Sequence, residues 1–597
     1  MVGLLRGVNE LVFFDFEVFK FDWLVVAIDP INKSEEVIVN DRSKLEELYK
    51  RYKNDIWVGF NCRDYDQYIL KAILCGFNPK DMNDWIIVKD RKGWEFSSLL
   101  RKVSINLFDV MPNPPVSLKT LEGFMGKNIH ETSVPFNVDR KLTPKELTET
   151  ISYCRDDVFN TIEVFLRRKG EFDAQMDLLK AFNLPLSNIG KTQAQLAAVI
   201  FDAKKQNFKD EWEIRLPDNL ALGKYQFVGD WFLDKRNHKY EHYVTGKSGK
   251  QVKEKVHLEC EIAGLPHIIA WGGLHAGQVI NLTCKPDEII IDADAGQLYP
   301  NLMHIYGLLS RAARKPEMLT YILDTSMRLK AEGKKKKREP YKRQCNIVYG
   351  ASGDKTNALY DPLMRNLVCV YGQVFFIDLI DKIEDIAQII NSNTDGLFFK
   401  LKKKDLPELY ERVKKWEERT GLCMEYAEYT KFVSKDVNNY VAVMTNGKLH
   451  CKGAYVKELS DLDYDLPIVN EAVKNYIVYG YRVEDTIFGC RELRKFQKIV
   501  KLSKKYEWVE HEIGQGFAVK FDNKAYRTFA SLADDDGRLM ACRMTSKGLE
   551  RKKFGGTADK CFILNDDLNE VSIPRKLDYQ WYIDLARKRL GDFGITV

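Results

Sequence analysis

Asp15 and Glu17 lie two residues apart in the apolar run "FFDFEVF". In an extended strand both point to one face, and acids in such a run cost free energy unless a cation meets them. Further on, "VGFNCRDYDQYIL" puts Asp66 after an aromatic and just before an apolar helical start. In "ISYCRDDVFNT", Tyr153 and Asp157 are four apart, stacked on one helical face. Asp156 is rotated about 100° from that face. Four acids and a phenol can hold two divalent ions roughly 3.5–4 Å apart and position an attacking water, which is two-metal phosphodiester hydrolysis. Each piece taken alone reads more readily as a solvated surface acid, Asp15 and Glu17 as a pair on an edge strand.

A second set lies downstream. "QIINSNTDGLFFKL" (388–401) reads as a β-hairpin with a single carboxylate, Asp395, at its tip. One acid holds a divalent ion poorly, and "IIIDADAGQLYPNLM" supplies a partner at the end of an apolar strand: Asp294, with Asp292 competing from the same face. Between them, "REPYKRQCNIVYGASG" places Lys342, Asn346 and Tyr349 at i, i+4 and i+7 of a helix, with Pro340 suited to its first turn. The run "KKKKR" (334–338) reads as a solvated connection between two helices.

Residues 1–110 alternate strand-like runs ("ELVFFDFEVF", "DIWVGF", "SINLFDV") with helical ones ("RSKLEELYKRY"), which predicts an α/β domain. A helix over 142–168 opens with Thr143 as N-cap and Pro144 as first helical residue. Residues 205–285 are rich in short strands and charge, and "TGKSGKQ" (245–251) reads as a hairpin tip. From about 465 the chain is mixed and basic and ends in a helix.

At 597 residues, 45% hydrophobic and 30% charged, the chain has room for three to five domains of ordinary globular composition. A net charge of +6 permits a nucleic-acid partner without demanding one. No apolar stretch approaches the roughly 18 residues of a membrane span. The 12 cysteines show neither metal-ligand pairs nor a disulfide framework. Together with an N-terminus that lacks a leader pattern, they predict reduced thiols and a cytoplasmic setting.

The order of these motifs resembles that of the family B DNA polymerases. "DFE", "NCRDYD" and "YCRDD" match that family's exonuclease pattern D-x-E, N-x3-[FY]-D, Y-x3-D, and "FDVMPNPPVSLKTLEGFMG" between the last two is similar as well. The resemblance implies that Asp15, Glu17, Asp66 and Asp157 ligate metal and that Tyr153 orients the water. It also implies that Asn61 and Phe16 contact a single-stranded 3′ end. Asp294-Ala-Gly-Gln297-Leu298-Tyr299-Pro300 resembles motif A, and its spacing to Leu-Tyr-Pro selects Asp294 over Asp292. Ser392-Asn393-Thr394-Asp395-Gly396 resembles motif C (Y-x-D-T-D-S), with Asn393 where that motif has its first acid. Lys342, Asn346 and Tyr349 fall on motif B (K-x3-N-S-x-Y-G), with Ile347 in place of its serine.

On this resemblance, Asp294 and Asp395 clamp two Mg²⁺ (or Mn²⁺) ions between primer 3′-hydroxyl and triphosphate. Lys342 neutralises the triphosphate with Arg328 as a second contact. Asn346, Tyr349 and Leu298 line the nucleotide site, and Tyr299 excludes the 2′-hydroxyl. "AWGGLHAG" is similar to a glycine linker motif whose Gly272 and Gly273 approach template phosphates. Lys435, Asn439, Tyr440 and Lys452 sit where the family binds the primer terminus. "ELRKFQKIVKLSKKY" and "KAYRTFAS" resemble thumb segments whose basic and aromatic residues grip a duplex.

The implied fold is α/β and α+β multidomain: an RNase H-like 3′–5′ exonuclease domain (1–168) and a right-hand polymerase. The latter comprises a linker and strand-rich insertion (169–285), a palm with a ferredoxin-like sheet (286–312 and 359–457), short helical fingers (313–358) and a mixed thumb (458–597). The expected partners are primer-template DNA, dNTPs and a single-stranded 3′ end. Only 48 residues separate Asp294 from Lys342, and 53 separate Lys342 from Asp395. That leaves no room for the insertions of protein-primed members and implies a compact phage-type replicase. The alternative, raised by Gln297, Ile347, Asn393 and Gly396, is an exonuclease whose polymerase half only binds DNA.

Overall fold

The computed structural model describes residues 11–245, 251–513, 517–521, 523–569 and 571–597. The fold is mixed α/β with several sheets, and the chain divides into two compact units. The first comprises Met1–Gly190, Leu459–Ile468 and Phe488–Tyr582; the second comprises Lys191–Glu458, Val469–Ile487 and Ile583–Val597.

In the first unit, β1 (Leu11–Val18), β2 (Trp23–Asp29) and β3 (Ser34–Val39) form an antiparallel meander. β4 (Ile56–Gly59) and β5 (Asn106–Asp109) add parallel strands, for the order β3-β2-β1-β4-β5. β1 is central, so Val12, Phe14 and Phe16 are buried in a core with Leu45, Trp57 and Ile69. A central strand buried on both faces reads as a continuous apolar run, and Asp15 and Glu17 are its interruptions. The covering helices include α1 (Arg42–Arg51), α2 (Asp66–Leu74), α3 (Leu118–Phe124) and α4 (Pro144–Arg167). α4 starts where its sequence predicts. Thr143 and Glu146 form a capping box ahead of Pro144, and such a cap contributes about 1 kcal/mol.

Seven strands between Lys498 and Lys553 and at Cys561–Ile563 form the other sheet of this unit. Its strand Ala525–Ala530 is buried at every position, which corrects the duplex-grip reading of "KAYRTFAS". Arg527 lies inside the protein and donates to the carbonyls of Leu564, Asp566, Gly123 and Lys127. Burial pulls its guanidinium down to about 10. Arg494 likewise donates to Phe124 O and Asp461. These cations hold backbone together because a buried charge needs a full set of acceptors.

The second unit is built on a ten-stranded sheet. Its strands include β6 (Leu265–Ala270), β7 (Gly273–Gly277), β8 (Glu288–Ala295), β9 (Gln388–Ser392), β10 (Gly396–Lys402), β11 (Met424–Asp436), β12 (Asn439–Met444) and β13 (Leu449–Lys452). They lie in the order β13-β12-β11-β8-β10-β9-β7-β6, with His257–Ile262 beyond β6 and Ile280–Thr283 paired to β11. "AWGGLHAG" is therefore a hairpin turn inside this sheet, with Gly273 opposite Ala270, and not a linker. The strands Glu241–Thr245 and Gln251–Lys255 pair as a separate exposed ribbon; most of the expected hairpin tip, 246–250, lies outside the described residues.

Helices α5 (Leu298–Ile305), α6 (Glu317–Ala331), α7 (Lys335–Ser352) and α8 (Pro362–Ile383) complete the part that matters for the site. Two expectations change here. The basic run does not connect two helices but opens α7, since lysine is a good helix former and its charges stay solvated. The break falls at Gly333, in the left-handed region at φ 68°, and Pro340 consequently lies inside α7 instead of in its first turn. α8 is long and apolar enough to cross a membrane by length and composition, contrary to the sequence reading, yet 94% of its apolar stretch is buried within the protein. It is a core helix of the second unit.

Candidate active sites

In the first unit, β1, α2 and α4 bring four acids together. Glu17, Asp66 and Asp157 are 7%, 3% and 9% exposed, and Asp15 is half-buried. Asp66 heads α2 and accepts the Phe16 N–H at 3.2 Å. Burial and mutual repulsion raise Asp15 and Glu17 well above the ordinary carboxylate range, and burial pushes Asp66 up to about 7. Tyr153 hydrogen-bonds Asp157 one helical turn away, whereas Asp156 is exposed.

Buried acids that oppose one another's ionisation are the donor set a hard divalent cation satisfies. Oxygen-lined Asp15 and Glu17 fit Mg²⁺ or Mn²⁺. The Cys154 thiol lies with them, all ligand atoms within 4.8 Å of one another. Burial and the nearby acids keep that thiol protonated, and it donates to the Asp15 carbonyl at 3.3 Å. It is a hydrogen-bond donor to the strand, not a ligand.

Sequence reasoning missed Lys119. It lies on α3, 2.5 Å from Asp157 and 3.1 Å from Glu122, with its ammonium 4.6 Å from the Tyr153 ring centroid. Glu122 is fully buried, held up at about 7 chiefly by burial. The i, i+3 spacing of Lys119 and Glu122 in "SLKTLEG" was the available signal. Asn61 sits half-buried in the left-handed region at φ 58°, its N–H donating to Asp109. Phe16 is placed otherwise than expected: 3% exposed, its ring packs on Phe14 and Trp23, on the strand face opposite the acids. A direct contact with a strand end is closed to it.

In the second unit, the register of β8 on β10 decides the geometry. Asp294 pairs with Gly396, the residue after Asp395, and the Ala295 N–H donates to the Asp395 carbonyl at 2.9 Å. A Cβ on Gly396 would stand 2.0 Å from Asp294 Oδ1, so the Asp294 carboxylate lies over the turn. Burial, Asp395 and Glu425 raise Asp294 to about 6; burial, Asp294 and Asp395 raise Asp292 to about 8. Asp292 is 7% exposed and Asp294 is open to solvent. The turn is held from within: Asn393 Oδ1 accepts the Asp395 N–H at 3.1 Å. From behind, buried His267 bonds Ser392 Oγ at 2.9 Å. These acids offer oxygen donors alone, but unlike Asp15, Glu17 and Cys154 no three of them bring ligand atoms within 4.8 Å of one another.

No protein-family model matches the chain, and no curated protein does. Among solved structures, the chain is similar to the family B DNA polymerase from the hyperthermophilic archaeon Pyrobaculum calidifontis. The two share 14% identity at a TM-score of 0.41, over 98% of this chain and 77% of that one. A likeness that slight does not establish fold or chemistry, which stand on the residues themselves.

Around the second acid cluster, Tyr299 and Tyr349 stack with centroids 4.1 Å apart and planes 20° off parallel. Tyr299 also hydrogen-bonds Thr394. Lys342 and Asn346 are exposed on the same face of α7 as Tyr349, which is half-buried. Leu298 is buried in the first turn of α5, and Arg328 is exposed beside Glu332 on α6. Gly273 touches the turn, while Gly272 is exposed with open space around it.

Of the four residues expected at a primer terminus, Lys452 lies near Asp292 and Asp294 and favours their ionised forms. Tyr440 is buried beneath the acids against Phe398 and Phe432. Lys435 and Asn439 are both bonded to Asp436. Sequence reasoning missed Glu425, opposite Asp294 on β11 and ion-paired to Lys330 of α6 at 2.6 Å. It also missed Arg365 of α8, which donates to Trp271 O at 3.1 Å and lines a cavity of about 460 Å³ with Tyr240, Tyr349 and Tyr360. Neither has a motif spacing: Glu425 reaches the site through strand pairing, and Arg365 reaches its cavity from α8.

Proposed function

We propose that this chain is a DNA-directed DNA polymerase with a 3′–5′ proofreading exonuclease, a compact family B enzyme of phage type. The observation that carries the reading is the pairing of Asp294 with Gly396, which sets two carboxylates distant in sequence side by side on one sheet. The first unit supports an RNase H-like exonuclease, through its 3-2-1-4-5 sheet and the acids of β1, α2 and α4. The ten-stranded sheet would be the palm, and α6 and α7 the fingers.

Divalent ions bound at each cluster would activate the attacking oxygen and neutralise charge on the leaving group. The protein's own groups do the rest. In the second unit, Lys342 meets the triphosphate as a compact cation. The stacked Tyr299 and Tyr349 form a flat wall for the nascent pair, and the Tyr299 ring fills the space a 2′-hydroxyl needs. In the first unit, Tyr153 orients water toward the phosphodiester while Lys119 holds Asp157 in place. An unpaired primer end would be drawn to that site by its exposed bases.

Primer extension with and without dNTPs tests both activities in one assay. Asp395→Ala should abolish extension and leave degradation intact, and Asp15→Ala/Glu17→Ala should do the reverse. A wild-type protein that degrades single-stranded DNA but never extends a primer would replace this reading with a nuclease carrying a DNA-binding platform. Extension that survives Asp395→Ala would remove the assigned polymerase site.

A further inference from the structure

Beside the acids of the first unit lies a cavity of about 540 Å³, a size suited to a small organic group, that the two-metal reading leaves unused. All its walls belong to that unit. One wall is the face of α4 that carries Tyr153, Asp156 and Asn160, spaced three and four apart. Another joins the chain after α3 to residues 565–567, and it is built to keep its shape. The Ile129 N–H donates to the Asn565 carbonyl at 2.8 Å, and the Asp567 N–H donates to Asn128 Oδ1 at 2.6 Å. Arg527 ties both sides from behind, through the carbonyls of Gly123 and Lys127 on one and of Leu564 and Asp566 on the other.

Two side chains in these walls stand where their type would not place them. Phe159 is 42% exposed, an apolar ring among polar groups. Glu122 is the reverse, a carboxylate with 0% exposure. Its Oε1 accepts from Lys119 Nζ at 3.1 Å and Asn160 Nδ2 at 2.9 Å. Its Oε2 is buried with no hydrogen-bond partner among the described residues. A buried acceptor left unpaired is costly, so this wall lacks an N–H donor.

The charges of the cavity do not suit a phosphate, because Asp156, Asp566 and Asp567 line it together with Lys127 and His130. A flat apolar face beside an unpaired acceptor suits a nucleobase, which stacks on the one and offers its polar edge to the other. Tyr153 and Lys119 belong both to this cavity and to the acid cluster, each through its bond to Asp157. A base held here therefore belongs to the nucleotide whose phosphodiester meets the acids.

We propose that this cavity is a base subsite of the exonuclease, where Phe159 stacks on the base of the nucleotide to be removed and Glu122 selects bases with an exocyclic amine. This rests on the exonuclease reading of the first unit and adds a specificity to it. Cytosine offers an amino group where thymine and uracil set a carbonyl oxygen, and an ionised carboxylate can only accept.

The test uses the full chain and single-stranded oligonucleotides ending in deoxycytidine or deoxyuridine, which differ only on that edge. It runs at pH 8.5, above the value of about 7 at which Glu122 titrates. Single-turnover removal of the terminal nucleotide should be about fivefold or more faster from the cytidine end. Glu122→Gln, which adds an amide N–H, should bring that ratio to about twofold or less even where it slows both reactions. Phe159→Ala, at an exposed position, should weaken binding of both strands about tenfold in an Asp15→Asn/Glu17→Gln background that does not cut, and Phe159→Trp should restore it. Primer extension should be unchanged in Phe159→Ala. Equal rates from both ends, or a preference that survives Glu122→Gln, would show that Glu122 does not read the base. Parental binding in Phe159→Ala would show that the cavity holds no base. In each of these cases the exonuclease reading stands, provided that Asp15→Asn/Glu17→Gln abolishes cutting. A wild-type chain that removes neither end would overturn that reading and the subsite with it.

Discussion

Gly273→Ala probes how the β6–β7 hairpin holds the turn that carries Asp395. Gly273 has φ 149°, a region that suits glycine. A Cβ there would stand 2.5 Å from Thr394 Oγ1, 3.4 Å from its Cγ2 and 3.5 Å from its Cβ. Ordinary contact needs about 3.5 Å or more, so Thr394 must retreat by about 1 Å. Backbone strain of this kind costs about 1–3 kcal/mol. Thr394 is joined directly to Asp395 and bonded to Tyr299, so its retreat moves both the carboxylate and the ring. A misplacement of about 1 Å can lower the rate about 100-fold, or about 2.7 kcal/mol.

Single-turnover primer extension measures the rate, urea unfolding measures stability, and exonuclease activity serves as the internal control from the other unit. Thr394→Ala removes the clashing atoms. Combined with Gly273→Ala it should recover about 1 kcal/mol or more relative to additivity, leaving only the strain. Extension within threefold of wild type in Gly273→Ala, or no recovery in the double variant, would refute the contact as the reason for glycine.

Three further outcomes follow from the geometry. Tyr299→Ala should raise the ratio of ribonucleotide to deoxyribonucleotide incorporation at least tenfold, about 1.4 kcal/mol; an unchanged ratio takes Tyr299 out of that role. Lys119→Met removes the cation beside Asp157 and Glu122, so their carboxyls should take up protons at higher pH. The acid limb of the exonuclease pH profile then moves to higher pH while extension is unaffected, and an unmoved limb would show that Lys119 does not tune the cluster. In chelator, Asp292 holds its proton in the folded chain up to about 8, against 3.8 for an ordinary aspartate. The folded state therefore binds more protons than the unfolded one across this window, and stability falls as pH rises from about 4 to about 8. At about 1.4 kcal/mol per unit the loss reaches on the order of 5 kcal/mol. Urea midpoints at pH 5 and pH 8.5 should show the slope flattened in Asp292→Asn, and an equal slope in both proteins would contradict it.

Much of the local structure is legible in the sequence because it is decided locally. The capping box at Thr143 and Glu146 names its helix start, and the continuous apolar run of β1 matches a strand buried on both faces. Asp15, Glu17, Asp292 and Asp294 stand out because nothing else in their strand runs is polar. The misreadings share another cause. "KAYRTFAS" looks like a basic surface, but Arg527 gains four carbonyl acceptors from segments distant in sequence. Phe16 follows its motif in spacing yet faces the core. The basic run before Pro340 belongs to a helix because helix propensity outweighs a proline placed past the first turns.

The sequence by itself determined which residues could do chemistry here: acids in apolar strands, a lysine, asparagine and tyrosine on one helical face, and a carboxylate on a tight turn. Tertiary structure alone decided which of them meet. Strand pairing set Asp294 against Gly396 and Glu425, and helix packing brought Lys119 to Asp157 and Arg365 to Tyr349, partners far off in sequence. The physical reason is that periodicity reports only on which face a residue lies, whereas register between distant strands is fixed by packing of the whole sheet.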